Sequence, residues 1–378
     1  MANETKRGLE RVDDIYERRH AIGKELAQTG REVIGYLCYF APPELITAAG
    51  MIPYRILGRM GDDITESDNY VEPLGCPYIR NCFEQDLKGR QDFLTGRIIP
   101  HSCDSAQRIY GIWKTYKPSA YNYLFSVPHM TTPWSVDFFR RELVLFKESL
   151  EKHTGRPISN EQIEDTVRLY NDNRALVGEL YALRKTPHPA LTAARMFKLL
   201  VAGMIIQPEE FNTLLKEVKE EVEQRPGTDA TLPRILFWGC IIDDAKFYEL
   251  IEGAGAHIVT DDTCIGTRSY LRSVDTSGGI MEGLTRAYFE EFKCPRTDLG
   301  PGLGRYDYVL DLIEEYGVDG VICYALSFCD PHKMDYPDLR DYLQEKEVPS
   351  LLIDDDYSLS NMESVRSRVE AFIEILAQ

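Results

Sequence analysis

The stretch Arg97–Trp113, RIIPHSCDSAQRIYGIW, contains the pattern from which the fold class follows. A short apolar run stops at Pro100, and apolar residues at helical spacing begin again after Asp104. This pattern predicts a strand, a tight turn and a helix whose N-cap is Ser102 or Asp104. Cys103 would then lie where the carboxyl end of a strand meets the positive end of a helix, which favours a thiolate. A small buried cysteine without chemistry is the alternative interpretation of this residue taken alone.

Strands and helices alternate in the same way on both sides of this stretch. Strand patterns at Val33–Phe40 and Arg234–Gly239 are each followed by a helix, whereas residues 160–223 are helical without a strand. A later helix is expected over Asp338–Lys346. We therefore predict an α/β protein with two Rossmann-like parallel-sheet domains and a helical insert between them. The expected segments are residues 1–155, 156–228 and 229–378.

Composition excludes several classes of function. The net charge of −18 leaves no basic stripe to neutralise phosphates, which argues against a nucleic-acid partner. No apolar run reaches about 18 residues, and the polar start MANETKRGLE does not resemble a signal peptide, so we expect no membrane association and a cytoplasmic location. The motifs GxSxG, GxxxxGK[ST] and HExxH are absent. A glycine loop at 300–304 is interpreted as solvated.

Nine cysteines are too few for a disulfide scaffold, and in a reducing compartment the well-placed ones indicate metal binding or reactivity. No CxxC pair occurs, so a metal centre would draw its thiols from distant segments. Cys76, Cys103 and Cys329 stand out because each lies in a turn at the start of a helix. Meeting between the two domains, they would offer three thiolates and one open position, a set that selects zinc, copper(I) or an iron–sulfur cluster.

The other cysteines have weaker contexts. Four of them are expected to have no role in a site: Cys38 and Cys323 in core strands, Cys82 and Cys294 in a helix or loop. Cys240 and Cys264 each follow a predicted strand and are expected to line the same crevice without acting as ligands.

Six stretches of the sequence are shared with one known family. They are GYLCYFAPPELITAAGMIPYRILG (35–58), LGCPYIRNCFEQ (74–85), IPHSCDSAQRIYGIW (99–113), RILFWGCIIDD (234–244), DDTCIGTR (261–268) and DGVICYALSFCDP (319–331). Together they cover nearly the whole chain in order. The chain resembles the 2-hydroxyacyl-CoA dehydratase/benzoyl-CoA reductase family, as one of its smaller catalytic subunits.

The resemblance implies a [4Fe–4S] cluster held by Cys76, Cys103 and Cys329. It also implies a related cluster-binding subunit as partner, a separate ATP-hydrolysing iron–sulfur activator and a CoA-thioester substrate. In this family one low-potential electron makes a ketyl-type radical anion of the thioester carbonyl, which permits dehydration of a 2-hydroxyacyl-CoA or reduction of an aromatic ring. A related branch carries a double-cubane [8Fe–9S] cluster and reduces small molecules.

The stretch PHSCDSAQR is most similar to the benzoyl-CoA reductase type, so we expect reduction of benzoyl-CoA to a cyclic dienoyl-CoA. A 2-hydroxyacyl-CoA dehydratase and a double-cubane reductase stay open as alternatives, as does a non-redox protein with zinc or with core cysteines. His129, Glu44 and His101 are the candidate acid–base residues. CoA would need basic contacts, for which the candidates are Arg55, Arg80, Arg108 and Arg268.

Overall fold

A computed structural model describes residues 6–297 and 304–377 of the chain. Positions 300–303 of the glycine loop lie outside this part. The described residues form two four-stranded sheets, and every pair of neighbouring strands in them is parallel. This arrangement confirms the predicted α/β class with two Rossmann-like sheets. No helix in the described ranges combines the length and apolarity needed to cross a membrane.

The first sheet is built from the N-terminal part of the chain. Its strands are β1 (Val33–Tyr36), β2 (Ile52–Arg55), β3 (Gly96–Pro100) and β4 (Tyr121–Phe125), in the order β2-β1-β3-β4. Its helices are α1 (Gly8–Ala27), α2 (Pro43–Ala48), α3 (Pro77–Leu87), α4 (Asp104–Tyr116) and α5 (Pro133–Thr154). The first three strands are buried along their whole length, as strands covered by helices on both faces must be.

A helical segment follows. It consists of α6 (Asn160–Ala182), a single 3₁₀ turn (Leu183–Lys185), α7 (Ala193–Gly203) and α8 (Pro208–Glu223). The start of α6 is fixed by a capping box: Ser159 Oγ accepts from the N–H of Gln162 at 3.2 Å, and Gln162 Oε1 accepts from the N–H of Ser159 at 2.8 Å.

The second sheet comes from the C-terminal part. Its strands are β5 (Arg234–Gly239), β6 (His257–Asp262), β7 (Gly320–Leu326) and β8 (Ser350–Asp355), in the order β6-β5-β7-β8. Its helices are α9 (Ala245–Gly253), α10 (Thr267–Tyr270), α11 (Ile280–Thr285), α12 (Gly304–Tyr316), α13 (Asp330–Glu345) and α14 (Met362–Leu376). One π-helical turn, Arg286–Glu290, continues α11.

Two predicted elements differ in extent from the observed ones. β1 ends at Tyr36, not at Phe40, so Cys38 lies beyond the strand. α13 begins at Asp330, eight residues before the predicted helix, because the proline after Asp330 lies in the first turn, where its missing N–H costs nothing. The strand β5 has its predicted limits.

The two hydrophobic cores each draw on both halves of the chain. One core joins Ile52 of the first sheet, Phe197 of the helical segment and Leu236 of the second sheet. The other joins Phe139 of α5 with Phe289 of the π-helical turn, their rings stacked with centroids 4.9 Å apart. The boundaries at 155/156 and 228/229 stay a prediction, and apolar packing crosses both of them.

A buried polar cluster of three side chains connects α3, β3 and α4 beside Cys76 and Cys103. Asp86 of α3 accepts a hydrogen bond from the Trp113 indole of α4 at 2.6 Å and an ion-pair bond from Arg97 of β3 at 2.7 Å. All three side chains are buried. The carboxylate therefore fixes α3 and α4 against the sheet.

Replacing Asp86 by Ala should lower the free energy of unfolding by about 3–5 kcal/mol, because it leaves the Arg97 guanidinium buried without a counter-charge. Urea unfolding followed by circular dichroism measures this. Asp92→Ala is the matched control, because Asp92 forms an ion pair with Lys117 close to Asp86 but is 62% exposed. The control should change the free energy of unfolding by no more than about 0.5 kcal/mol. Equal effects of the two substitutions would contradict the assigned role.

Candidate metal centre

The three cysteines singled out in the sequence occupy equivalent positions. Cys76, Cys103 and Cys329 are the N-cap residues of α3, α4 and α13. The predicted caps of α4, Ser102 and Asp104, are wrong: the Cys103 sulfur accepts from the N–H of Ala106 at 3.4 Å. A sulfur at a helix N-terminus faces unpaired N–H groups and the positive end of the helix dipole, which stabilise a thiolate.

These helix ends open onto one cavity between the two sheets. Its volume is about 690 Å³, counting the part that is open to solvent. Seven of the nine cysteines line it: Cys38, Cys76, Cys103, Cys240, Cys264, Cys294 and Cys329. Cys38 and Cys294, for which the sequence predicted no role in a site, pack with the second hydrophobic core and also line this cavity, and Cys240 and Cys264 line it as expected. Cys82 and Cys323 lie buried elsewhere.

The thiols fall into two groups by their electrostatic neighbours. Cys76 interacts with Cys103 and Cys329, and Cys240 interacts with Cys329. In the second group Cys264 interacts with Cys38 and Cys294, which interact with each other. Cys103 and Cys38 connect the two groups.

The seven thiols are distributed over the wall of the cavity. In residues 6–297 and 304–377, no three His, Cys, Asp or Glu side chains meet closely enough to hold a single metal ion. A cluster with several metal atoms takes its thiolates one per metal, so it suits separated sulfurs better than one ion does.

Burial opposes ionisation of these thiols in the metal-free chain. Burial raises the pKa of Cys103 and of Cys264 to about 12, and that of Cys294 to about 11. The hydrogen bond to Cys240 and then burial raise the pKa of Cys329 well above its ordinary value. Backbone N–H groups of the helix starts act in the opposite direction on Cys76 and Cys103, but burial prevails. Binding a metal here would therefore release protons.

Two arginines without carboxylate partners in the described part of the chain add positive charge to the wall. Arg55 is 3% exposed, and its Nε and Nη1 have no hydrogen-bond partner. Arg296 donates to four backbone carbonyls, including those of His101 at 2.9 Å and Ser102 at 3.2 Å. A buried cation costs free energy unless an anion compensates it, so this wall suits an anionic group.

Two of the predicted acid–base residues lie beside this cavity. His101 and His129 line a second, open cleft of about 1,270 Å³, which shares Ser102, Cys103 and Arg296 with the first. Their rings are 6.0 Å apart between centroids. Burial, and then the charge of Arg296, lower the pKa of His101 below its usual value, so this imidazole favours the neutral form.

Glu44, the third candidate, is not brought to either cleft. It is fully buried, with Arg174 donating to its Oε1 at 2.5 Å and the Tyr288 hydroxyl donating to its Oε2 at 2.7 Å. This carboxylate joins α2, α6 and the π-helical turn. It is placed to hold these elements together.

The four arginines predicted to contact CoA have different surroundings. Arg55 lines the cavity. Arg80 is paired with Asp68, and the exposed Arg108 is paired with Asp104 one turn away at 2.6 Å. Arg268 is buried in an ion pair with Asp262 at 2.7 Å. Sequence reasoning missed Arg296 altogether, because no strand end or helix start in the sequence marks its position.

The fold and site define a class: a two-sheet parallel α/β protein whose helix ends and thiols converge on a cavity between the sheets. The family model of the 2-hydroxyglutaryl-CoA dehydratase D-component matches residues 38–376. The chain belongs to this family.

Similar proteins include three enzyme subunits. One of the subunits of benzoyl-CoA reductase from Thauera aromatica is 30% identical over 92% of this chain and 91% of its own length. The beta subunit of lactoyl-CoA dehydratase from Anaerotignum propionicum is 26% identical over 93% of each chain. The (R)-phenyllactyl-CoA dehydratase beta subunit of Clostridium sporogenes is 25% identical over the full length of both. The chain is thus an enzyme subunit of this general kind.

The raised pKa values predict how the metal-free chain responds to pH. The thiolate absorbance of Cys103, Cys264 and Cys294, measured as the difference from the corresponding Ser variants, should appear only above about pH 11 in the folded chain, but near the ordinary value of 9.0 in urea. Because the folded-state pKa values are the higher ones, the contribution of these thiols to the unfolding free energy should be constant below pH 9 and should fall as pH rises from 9 to 12. Coincident thiolate titrations in the folded and urea-unfolded chain would contradict the burial described above.

Proposed function

We propose that this chain binds an iron–sulfur cluster through Cys76, Cys103 and Cys329 and works as a subunit of an ATP-dependent enzyme. The observation that carries the proposal is the convergence of three helix N-cap cysteines on one cavity. The unpaired Arg55 on the same wall supports an anionic occupant. Such a cluster, when bound, supplies low-potential one-electron chemistry.

The second group of thiols favours a larger cluster than [4Fe–4S]. Cys38, Cys264 and Cys294 line the same cavity and interact with one another, as Cys76, Cys103 and Cys329 do. Two sets of three thiols are the ligands that two joined cubanes require, and the volume between them is continuous. Of the three reactions considered from the sequence, this geometry supports the double-cubane [8Fe–9S] reductase of small molecules best.

Reduction of benzoyl-CoA to a cyclic dienoyl-CoA is the second candidate. The 30% identity to a benzoyl-CoA reductase subunit supports it, and so does the cleft with His101 and His129 beside Cys103. Ring reduction consumes protons as well as electrons, and we propose that the two imidazoles at the cleft relay protons from solvent to a bound aryl thioester. Dehydration of a 2-hydroxyacyl-CoA is supported by the dehydratase relatives.

Partners follow from the same proposal. The relatives are named as subunits, which supports a related cluster-binding subunit as the partner of this chain. The sequence of the present chain has no phosphate-binding loop. ATP would therefore be hydrolysed by a separate iron–sulfur activator, which delivers the electron. We place this system in the cytoplasm, where nine unpaired cysteines stay reduced.

Iron content tests the ligands and the size of the cluster. The anaerobically reconstituted chain should hold about eight irons if both thiol groups bind, and about four if only the first does. Cys264→Ser should then lower iron by about half, and Cys103→Ser should lower it at least as much. Cys82→Ser is the matched control, because Cys82 is buried outside the cavity. Full iron in Cys103→Ser would refute the ligand assignment.

The reaction is tested with activator, ATP and reductant present. A dienoyl-CoA product from benzoyl-CoA identifies ring reduction, and release of water from a 2-hydroxyacyl-CoA identifies dehydration. Reductant consumption that needs ATP but yields neither product, from a chain with about eight irons, supports the small-molecule reductase. A colourless chain without iron would refute all three.

A further inference from the structure

A chain of buried polar contacts runs from Asp262 to the sulfur of Cys329. The Asp262 carboxylate accepts from Arg268 Nε at 2.7 Å and from Arg268 Nη2 at 3.0 Å. Arg268 Nη1 lies 3.1 Å from His332 Nε2, and His332 Nδ1 lies 3.5 Å from Cys329 Sγ. Asp262, Arg268 and His332 are each at most 3% exposed, so water does not compete for these contacts.

The arginine determines which nitrogen of His332 carries the proton. A guanidinium nitrogen has hydrogens to donate but no lone pair to accept with. One hydrogen of Arg268 Nη1 is donated to the Gly239 carbonyl at 3.0 Å, and the other faces His332 Nε2. With the proton of Arg268 directed at it, His332 Nε2 is the acceptor, whereas an Nε2 proton donated to the nearby Gly239 carbonyl would give the opposite tautomer. The ring proton is left on Nδ1, which points at the sulfur of Cys329.

We infer that Arg268 and His332 are positioning residues which deliver one N–H hydrogen bond to the Cys329 sulfur and thereby raise the reduction potential of the cluster bound there. The inference rests on the proposed function for the cluster itself. Hydrogen bonds to ligand sulfurs stabilise the more negative, reduced state.

Arg268 also contacts the second thiol group. Its Nη1 lies 3.9 Å from the sulfur of Cys264. Both hydrogens of Nη1 are already directed at Gly239 and His332, so Cys264 is exposed to the positive charge of the guanidinium and receives no further hydrogen bond from it. The backbone N–H of His332 and the thiol of Cys240 also interact with the Cys329 sulfur.

The tautomer is testable without any cluster. In the metal-free chain, ¹⁵N chemical shifts of labelled histidine should show Nδ1 of His332 protonated and Nε2 unprotonated, with His332→Asn assigning the signal. Free histidines prefer the opposite tautomer, so a packing role alone predicts no such result. Protonated Nε2 would overturn the inference and leave the proposed cluster untouched.

The potential is tested in the reconstituted chain. His332→Leu keeps the bulk against Trp238 but has no donor, and it should favour oxidation about tenfold, which for one electron is about 59 mV to lower potential in an EPR-monitored titration. His332→Asn places an amide N–H near the position of Nδ1 and should restore most of the loss. His153→Leu, on a histidine that pairs with Glu32, is the control.

Each outcome of that titration is decisive. An unshifted potential in His332→Leu at full iron content overturns the inference, and so does an equal shift in both His332 variants, which would indicate packing instead of the hydrogen bond. If His332→Leu does not take up iron, two other measurements decide the question. They are the tautomer of His332 and the reduction potential of His332→Asn compared with that of the unaltered chain. Absence of iron in the unaltered chain would refute only the proposed function.

Discussion

The rest of the structure depends on placing three helix N-termini around one buried volume. A parallel sheet sends all of its strands' carboxyl ends to one edge, and here the edges of both sheets face the same cavity. Each of α3, α4 and α13 therefore begins with a cysteine that is both desolvated and exposed to unpaired N–H groups. Burial, together with the neighbouring thiols, keeps these thiols protonated. The helix ends become decisive once a metal replaces the protons, because the resulting thiolates then have donors already in place.

The chain as a whole is acidic, whereas the wall of the cavity carries unpaired positive charge. The whole chain carries a net charge of −18, yet the wall of the cavity has Arg55 and Arg296 without carboxylate partners in its described part. Surface charge is screened within about 8 Å at physiological salt, whereas buried charge is not. The acidic exterior therefore says little about the occupant of the cavity, and the few cations beside the thiols say more. The ion pair between Asp86 and Arg97 is also buried, but neither residue lines the cavity, so this pair does not change the charge of the cavity wall.

The sequence predicted the architecture well because each strand of a doubly covered parallel sheet is a continuous apolar run. β5 has its predicted limits, and Cys76, Cys103 and Cys329 were found because a proline or an aspartate after each of them marks a helix start. Cys38 was misplaced because the apolar run continues four residues beyond the end of β1. Cys294 and Arg296 follow the π-helical turn, whose irregular backbone has no periodic signal. His332 was missed because its role depends on Arg268, which is 64 positions earlier in the chain.

The wide separation of the seven cavity cysteines along the chain, from Cys38 to Cys329, has a consequence for maturation. No short segment contains a complete ligand set, so a nascent or unfolded chain cannot capture a cluster locally as a compact CxxC motif does. Both sheets must form first, and the thiols meet only in the folded product. For the proposed cluster, the opening of the cavity to solvent would be the route by which iron and sulfide reach the folded chain. The proposed cluster would therefore be assembled only after the polypeptide has folded.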